Sequence, residues 1–174
     1  MFNKEYSFKG IHADRVKMLT ANFSSNLNFG LFNRNLDVYI LAPIVGFLYQ
    51  RKAAIDKDSA TTTKIFPEQI IGAREELIFN YRLIMLLDKN NEPDDAERIN
   101  HAFKYFEKPE GAADELLFDE YVRGGVDVLY EKLIEPSIDF VNNLFEFIED
   151  FYDKYLSAND GASILELCKL AKGF

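Results

Sequence analysis

The amino-acid sequence predicts an all-α protein: one domain over residues 1–174, with about six or seven helices packed around a buried, Pro-kinked central helix. Three observations carry that prediction. Apolar residues recur at spacings of three and four, most clearly at Ile70, Ala73, Leu77, Tyr81, Ile84 and Met85. The run Leu36–Tyr49 holds a single charge, Asp37, and a stretch so apolar on every face belongs in an interior. No second strand-like segment stands ready to pair with that run, so its Val, Tyr and Ile residues read as helical.

Taken in order, residues 1–13 read as an irregular lead-in, and Ala13–Ala21 as a short helix with Val16 and Leu19 on one face. The Asn- and Ser-rich stretch 22–32 resists helix formation, and its Phe23, Leu27, Phe29, Leu31 and Phe32 suggest a loop pinned to the core. The central segment, Asn33–Lys52, comes next. Asn35 is its expected N-cap, Asp37 favours its first turn, and Pro43 should kink or divide it near Ala42. Ala42 and Gly46, four apart, leave a smooth patch where another helix could approach closely.

Residues 53–66 read as a polar connection whose Thr61-Thr62-Thr63 disfavours helix, and Pro67 suits the first turn of the next helix. Glu68–Lys89 is the clearest amphipathic helix, and Asp94–Phe106 another, with Ile99, Ala102, Phe103 and Phe106 facing inward. After a turn at Lys108-Pro109-Glu110-Gly111, Ala113–Ile134 is helical by pattern through Leu116, Leu117, Tyr121, Val128 and Leu129. Gly124-Gly125 interrupts it at a cost of about 2 kcal/mol relative to two alanines, so either the helix breaks there or a neighbour packs tightly against it. Pro136 opens a long helix to about Leu156 lined by Val141, Phe145, Ile148, Tyr152 and Tyr155. Asn159-Asp160-Gly161 is a turn, and Ser163 with Glu166 forms a capping box for a short last helix.

Composition bounds function more loosely. With 48% apolar residues the chain can bury a sizeable core, and 16 Phe and 9 Tyr predict one built on large rings. The lone Cys168 excludes an intrachain disulfide and a thiolate cluster, and reads as a small apolar helix residue. No apolar run has signal-peptide length at the N-terminus, and the Leu36–Tyr49 run is too short to span a bilayer, which predicts a cytoplasmic protein. Charge is unevenly spread: residues 1–60 hold 8 basic and 5 acidic side chains, residues 90–160 hold 6 and 19. The acidic half would repel nucleic acid, whereas the N-terminal third could touch it.

Motifs for chemistry are scarce. His12 and His101 stand alone, without a second ligand at metal spacing, and His101 reads as a hydrogen-bonded or exposed histidine. Glu146, Glu149, Asp150 and Asp153 share a helix face but have no Glu-x-x-His partner, so they read as the solvent side. Neither a phosphate-binding loop nor a nucleophile elbow is present, and the hydroxyl-rich Ser24-Ser25 and Thr61–Thr63 have no base beside them. No cofactor is expected. Arg15, Lys17, Arg34, Arg51 and Lys52 would serve nucleic acid if they converged, although an apolar central helix makes a poor recognition helix.

One stretch carries a family likeness. Phe32-Asn33-Arg34-Asn35-Leu36-Asp37-Val38-Tyr39-Ile40-Leu41-Ala42-Pro43-Ile44-Val45-Gly46-Phe47, with Arg51-Lys52 after it, resembles small accessory proteins of bacterial DNA-phosphorothioation gene clusters. The shared pattern is a Phe, an Asp-Val pair opening an apolar helix, then Ala, Gly and an aromatic, then basic residues. It covers about 20 of 174 residues. The resemblance implies an association with defence against foreign DNA and transfers no catalytic residue.

The leading expectation is therefore a non-catalytic helical interaction component of a bacterial system, with a protein partner or further copies of itself. Arg34, Asp37, Arg51 and Lys52, at the polar ends of the central helix, are the candidate contact residues. A nucleic-acid-binding module using the basic N-terminal third is the alternative, and an enzyme with an unrecognised site is a further one.

Overall fold

The structure, a computed structural model, describes residues 1–22, 30–57 and 59–156, the last two by backbone only. The expected loop anchors Phe23, Leu27 and Phe29, the Ser24-Ser25 pair, the turn at Asn159, the Ser163/Glu166 capping box and Cys168 lie outside the described residues. The class is all-α as predicted, with seven α-helices among the described residues and one small two-stranded sheet. The chain falls into two compact units, Met1–Glu131 and Lys132–Phe174, and their boundary lies inside a helix rather than in a linker, so no change of composition marks it.

The sheet corrects the reading of two stretches. Strand β1 (Tyr6–Lys9) belongs to the supposed irregular lead-in and β2 (Thr62–Ile65) to the supposed polar connection; they pair antiparallel, Tyr6 opposite Ile65 and Phe8 opposite Thr63. Strand β2 alternates, with Thr63 and Ile65 buried and Thr62 and Lys64 outside, and β1 buries Phe8 and exposes Lys9. The pattern spans only four residues per strand, with the partners far apart in sequence, and so gives no local signal.

Helix α1 (Ile11–Leu19) begins at Gly10, whose φ of 57° turns the chain out of β1, while the Asp56 carboxylate accepts from the Ile11 N–H at 2.8 Å. It buries His12, Ala13, Val16 and Leu19, and Thr63 Oγ1 donates to the Ala13 carbonyl at 3.1 Å, fastening β2 to the helix.

Helix α2 (Asn35–Leu48) is the central segment, and it buries Leu36, Val38, Tyr39, Ala42, Pro43, Val45 and Gly46. Its N-cap is Arg34, one residue earlier than expected, because Asp37 rather than Asn35 closes the end: Asp37 Oδ2 accepts from the Arg34 N–H at 3.0 Å. Asn35 instead donates its amide to the Lys64 carbonyl at 3.2 Å. Pro43 does not divide the helix. Close by, Asn80 of the neighbouring helix donates to the Ile40 carbonyl at 2.8 Å, supplementing the turn that proline weakens.

The expected helix Glu68–Lys89 is two helices, α3 (Pro67–Gly72) and α4 (Arg74–Leu87), parted at Ala73 with φ −103° and ψ 13°. The apolar spacing runs straight through the break, which is why periodicity alone could not reveal it. Helix α5 (Asp95–Ile99) is also shorter than expected. Asp94 caps it by accepting from the Glu97 N–H at 2.8 Å, and a π-helical turn comes after it at Asn100–Lys104. That wider turn shifts the phase: Ala102 is buried as expected, but Ile99 and Phe103 face solvent. Arg98 goes inside instead, its guanidinium satisfied by the carbonyls of Leu86, Glu92 and Pro93 at 2.8–2.9 Å and by the Asp95 carboxylate.

Helix α6 (Ala112–Leu133) is unbroken at Gly124-Gly125. A Cβ on Gly125 would overlap the Ala42 carbonyl, one on Gly124 the Arg51 carbonyl, and one on Gly46 the Tyr121 carbonyl. The two glycines of α6 and the Ala42/Gly46 patch of α2 thus belong to one backbone-to-backbone crossing. Leu117, Tyr121, Val128 and Leu129 are buried as expected, whereas Leu116 faces out. Around the crossing Phe118 meets the rings of Phe2, Tyr81 and Tyr39 at centroid distances of 5.5, 6.0 and 6.5 Å, the aromatic core that composition predicted.

In the second unit, helix α7 (Phe140–Phe151) starts at the Asp139 cap, after Pro136, and runs into a π-helical turn over Tyr152–Leu156. Val141, Phe145, Ile148 and Tyr152, expected to line the interior, are 45%, 63%, 52% and 49% exposed. The inward-pointing side chain is Asn143, which donates to the carbonyls of Leu133 and Ser137 at 3.1 and 3.0 Å and accepts from the Ser137 hydroxyl at 2.8 Å. A polar tether, not the apolar stripe, sets the rotation of this helix.

Candidate functional site

The four residues singled out from sequence lie at the two ends of α2. A 14-residue helix is about 21 Å long, so the pairs do not meet on one surface. Arg34 and Asp37 form a forked ion pair across the first turn: Arg34 Nη2 and Nε donate to Asp37 Oδ1 at 2.6 and 3.1 Å. At the other end Arg51 Nη2 donates to Glu131 at 3.0 Å. Lys52 Nζ sits 3.9 Å from the buried Asp88 carboxylate and 4.9 Å from the Tyr121 ring centroid. The Tyr121 hydroxyl donates to that same carboxylate at 2.6 Å; burial first, and then Asp88, push its pKa up.

The wider basic set is paired in the same way. Arg15 meets Asp127 and stacks over Tyr130 with its guanidinium carbon 5.0 Å from the ring centroid, and Lys17 reaches Asp14 at 3.4 Å. All five cations therefore face a carboxylate.

Two adjoining clefts open where α2 begins, and Arg34 and Gln69 line both. One, of about 360 Å³, has Leu36 and Ile40 as its apolar wall and Glu68 and Glu76 at its sides. The other, of about 320 Å³, is lined by Thr20, Asn33, Asn35, Lys64 and Phe66. The helix starts shape this region, because Gln69 accepts from the Phe66 N–H at 3.2 Å at the head of α3, as Asp37 does for α2. No His, Cys or Ser lines either cleft.

Three titratable clusters escaped sequence reasoning. His12 Nε2 lies 3.1 Å from Asp127, while its Nδ1 is buried without a hydrogen-bond partner. Burial raises the Asp127 pKa, but the hydrogen bond from His12 and the charges of His12 and Arg15 outweigh it and hold the carboxyl below its ordinary value. His101 Nδ1 lies 2.8 Å from the buried Asp114, so the histidine read as hydrogen-bonded or exposed is hydrogen-bonded. Asp119 is pushed up to about 6 by burial, against the pull of Arg123 and with a further push from Glu115. Only the Glu115-Asp119-Arg123 spacing of four carried any signal, since the other partners lie 13 to 115 positions apart.

Fold and site together define an all-α protein with an ion-paired surface in its first unit and an exposed apolar helix face in its second. No family model, curated protein or solved structure matches this chain. Among the described residues no helix is long and apolar enough to cross a membrane, and no three His, Cys, Asp or Glu side chains group as metal ligands.

Proposed function

We propose that this chain is a non-catalytic helical interaction component, cytoplasmic and bacterial, which docks another protein as part of a larger system. The likeness of residues 32–52 to phosphorothioation accessory proteins supplies the setting, DNA defence. The observation that carries the reading is the outer face of α7: Val141, Phe145 and Ile148, spaced four and three apart, turned to water. Such a stripe is the usual means by which one helix docks against another protein.

The paired cations support protein rather than nucleic acid as the partner. A phosphate would have to displace a carboxylate from Arg15, Lys17, Arg34, Arg51 or Lys52 before gaining a contact.

The test is a photo-crosslinking residue placed at Phe145 in cells that make the protein, with a control at the exposed Glu75. A discrete protein adduct from position 145 alone is expected, and the purified partner should bind the wild type and lose about tenfold in affinity with Ile148→Ser. An adduct to nucleic acid would favour the DNA-binding alternative. No adduct from position 145 would sink the reading.

A further inference from the structure

We infer that the partner of α7 is an amphipathic helix of another protein, with lysine or arginine along one flank of its apolar face. This rests on the interaction reading above and adds the chemistry of the partner. At 100° per residue, Val141, Phe145 and Ile148 fall within an arc of about 60°. Glu149 and Glu146, both exposed, stand about 80° and 140° round the helix from Val141, all on one side of the stripe. Phe140, Leu144 and Phe147, on the other side, are half-buried, and Asn143 beyond them is tethered inward. The exposed stripe therefore has one acidic flank and one apolar flank.

Burial of the stripe supplies the attraction. Each large apolar side chain gains about 1.5–3 kcal/mol when removed from water, and a helix of 12 residues is marginal by itself. Charge then selects the partner. If two copies paired through α7 antiparallel, the Glu146/Glu149 flank of one would face that of the other. If they paired parallel, the acids of one would lie over the half-buried rings of its mate without a counterion. The first arrangement sets like charges together and the second desolvates carboxylates, so a second copy is the poorer occupant. Basic residues on the facing flank relieve both problems. The acids are available for this: among the described residues, Glu146 accepts the Asn142 amide at 2.7 Å and has no ion-pair partner, and neither has Glu149.

The experiment titrates the full-length chain with two synthetic helical peptides of about 18 residues, carrying the same leucine stripe but flanked by lysine in one and glutamate in the other. Fluorescence anisotropy at low and high salt reads the binding. The lysine peptide should bind about tenfold tighter than the glutamate peptide and weaken with salt. Phe145→Ser with Ile148→Ser should lower its affinity about tenfold at unchanged net charge. Glu146→Lys with Glu149→Lys should invert the preference.

Lysine-peptide binding indifferent to the serine pair would mark general attraction to a chain of net charge −9 and overturn the site. Equal binding of both peptides would overturn the basic partner while leaving the docking face. Binding of neither would overturn this inference and count against the interaction reading as well. A dimer that the serine pair dissolves would assign the face to a second copy and overturn the inference. Circular dichroism checks that the variants fold, which the exposure of all four side chains favours.

Discussion

Replacing Gly125 with alanine tests the close crossing of α2 and α6, because two effects of known size oppose each other there. In an exposed helix the change would stabilise by about 1 kcal/mol, since alanine is the best helix former and glycine one of the worst. Here the new methyl would overlap the Ala42 carbonyl and stand 2.9 Å from Ala42 Cα, where carbon atoms ordinarily keep about 3.5–4.0 Å. The obstructing atoms are backbone in the middle of α2, so no side-chain rotation can relieve them. Separating the helices would in turn loosen contacts among Tyr39, Tyr81, Phe118 and Tyr121, all buried. Overpacking of this kind costs about 1–3 kcal/mol and more where backbone must move, so the net effect should be a loss of about 2 kcal/mol. For a chain of this length that lowers Tm by about 4–8 °C. Gly72→Ala is the control, since nothing lies within 4 Å of its Cβ position, and it should be neutral or stabilising. Urea and thermal unfolding of both variants measure the difference. A Gly125→Ala protein as stable as wild type would refute the close-packing argument.

The remaining predictions concern two acids, the buried Asp127 and the half-buried Asp119. Asp127 has a folded-state pKa below its unfolded value, so its contribution to stability is present above pH about 4 and lost as pH falls through the lower folded value. Asp127→Asn should cost about 3 kcal/mol near neutrality and flatten the acid limb of stability against pH. Unchanged urea midpoints at pH 7 would argue against a stabilising cluster. Asp119 has the opposite sign. Its pKa of about 6 means that ionisation penalises the folded state, with no cost below pH about 4 and a growing cost as pH rises to 6. Partial exposure tempers the effect, and Asp119→Asn should stabilise by about 1–2 kcal/mol above pH 7 and not at pH 4. A variant less stable than wild type at pH 7 would contradict this.

The helical class was legible because α2, α4 and α6 carry long runs of apolar residues at helical spacing, and those runs depend only on local sequence. Ala42, Gly46, Gly124 and Gly125 were legible as small residues awaiting a neighbour, though not as parts of one crossing, since that requires the fold. Rotation was the weaker inference. Val141, Phe145 and Ile148 form a stripe by any count, but Asn143 and its three hydrogen bonds decide which side faces inward. The division of α3 from α4 and the π turn after α5 likewise alter phase without altering composition. Among the candidate contact residues, charge and position at the helix ends were readable. The carboxylates that neutralise Arg51 and Lys52 stand 80 and 36 positions away and were not.

The β1–β2 ribbon has a consequence for how the first unit comes apart. Joining Lys9 to Thr62 closes a loop that holds α1 and α2, and the length-dependent entropy of closing about 52 residues comes to about 3.5 kcal/mol. A four-residue ladder whose hydrogen bonds contribute about 1 kcal/mol each cannot hold by itself against that cost and the ordering of its own backbone. It holds because Phe8 and Ile65 sit in the core and Thr63 is bonded to α1. The ribbon is therefore a latch set by the helices it encloses, and its amide protons exchange when that enclosure fails rather than by fraying at the strand ends.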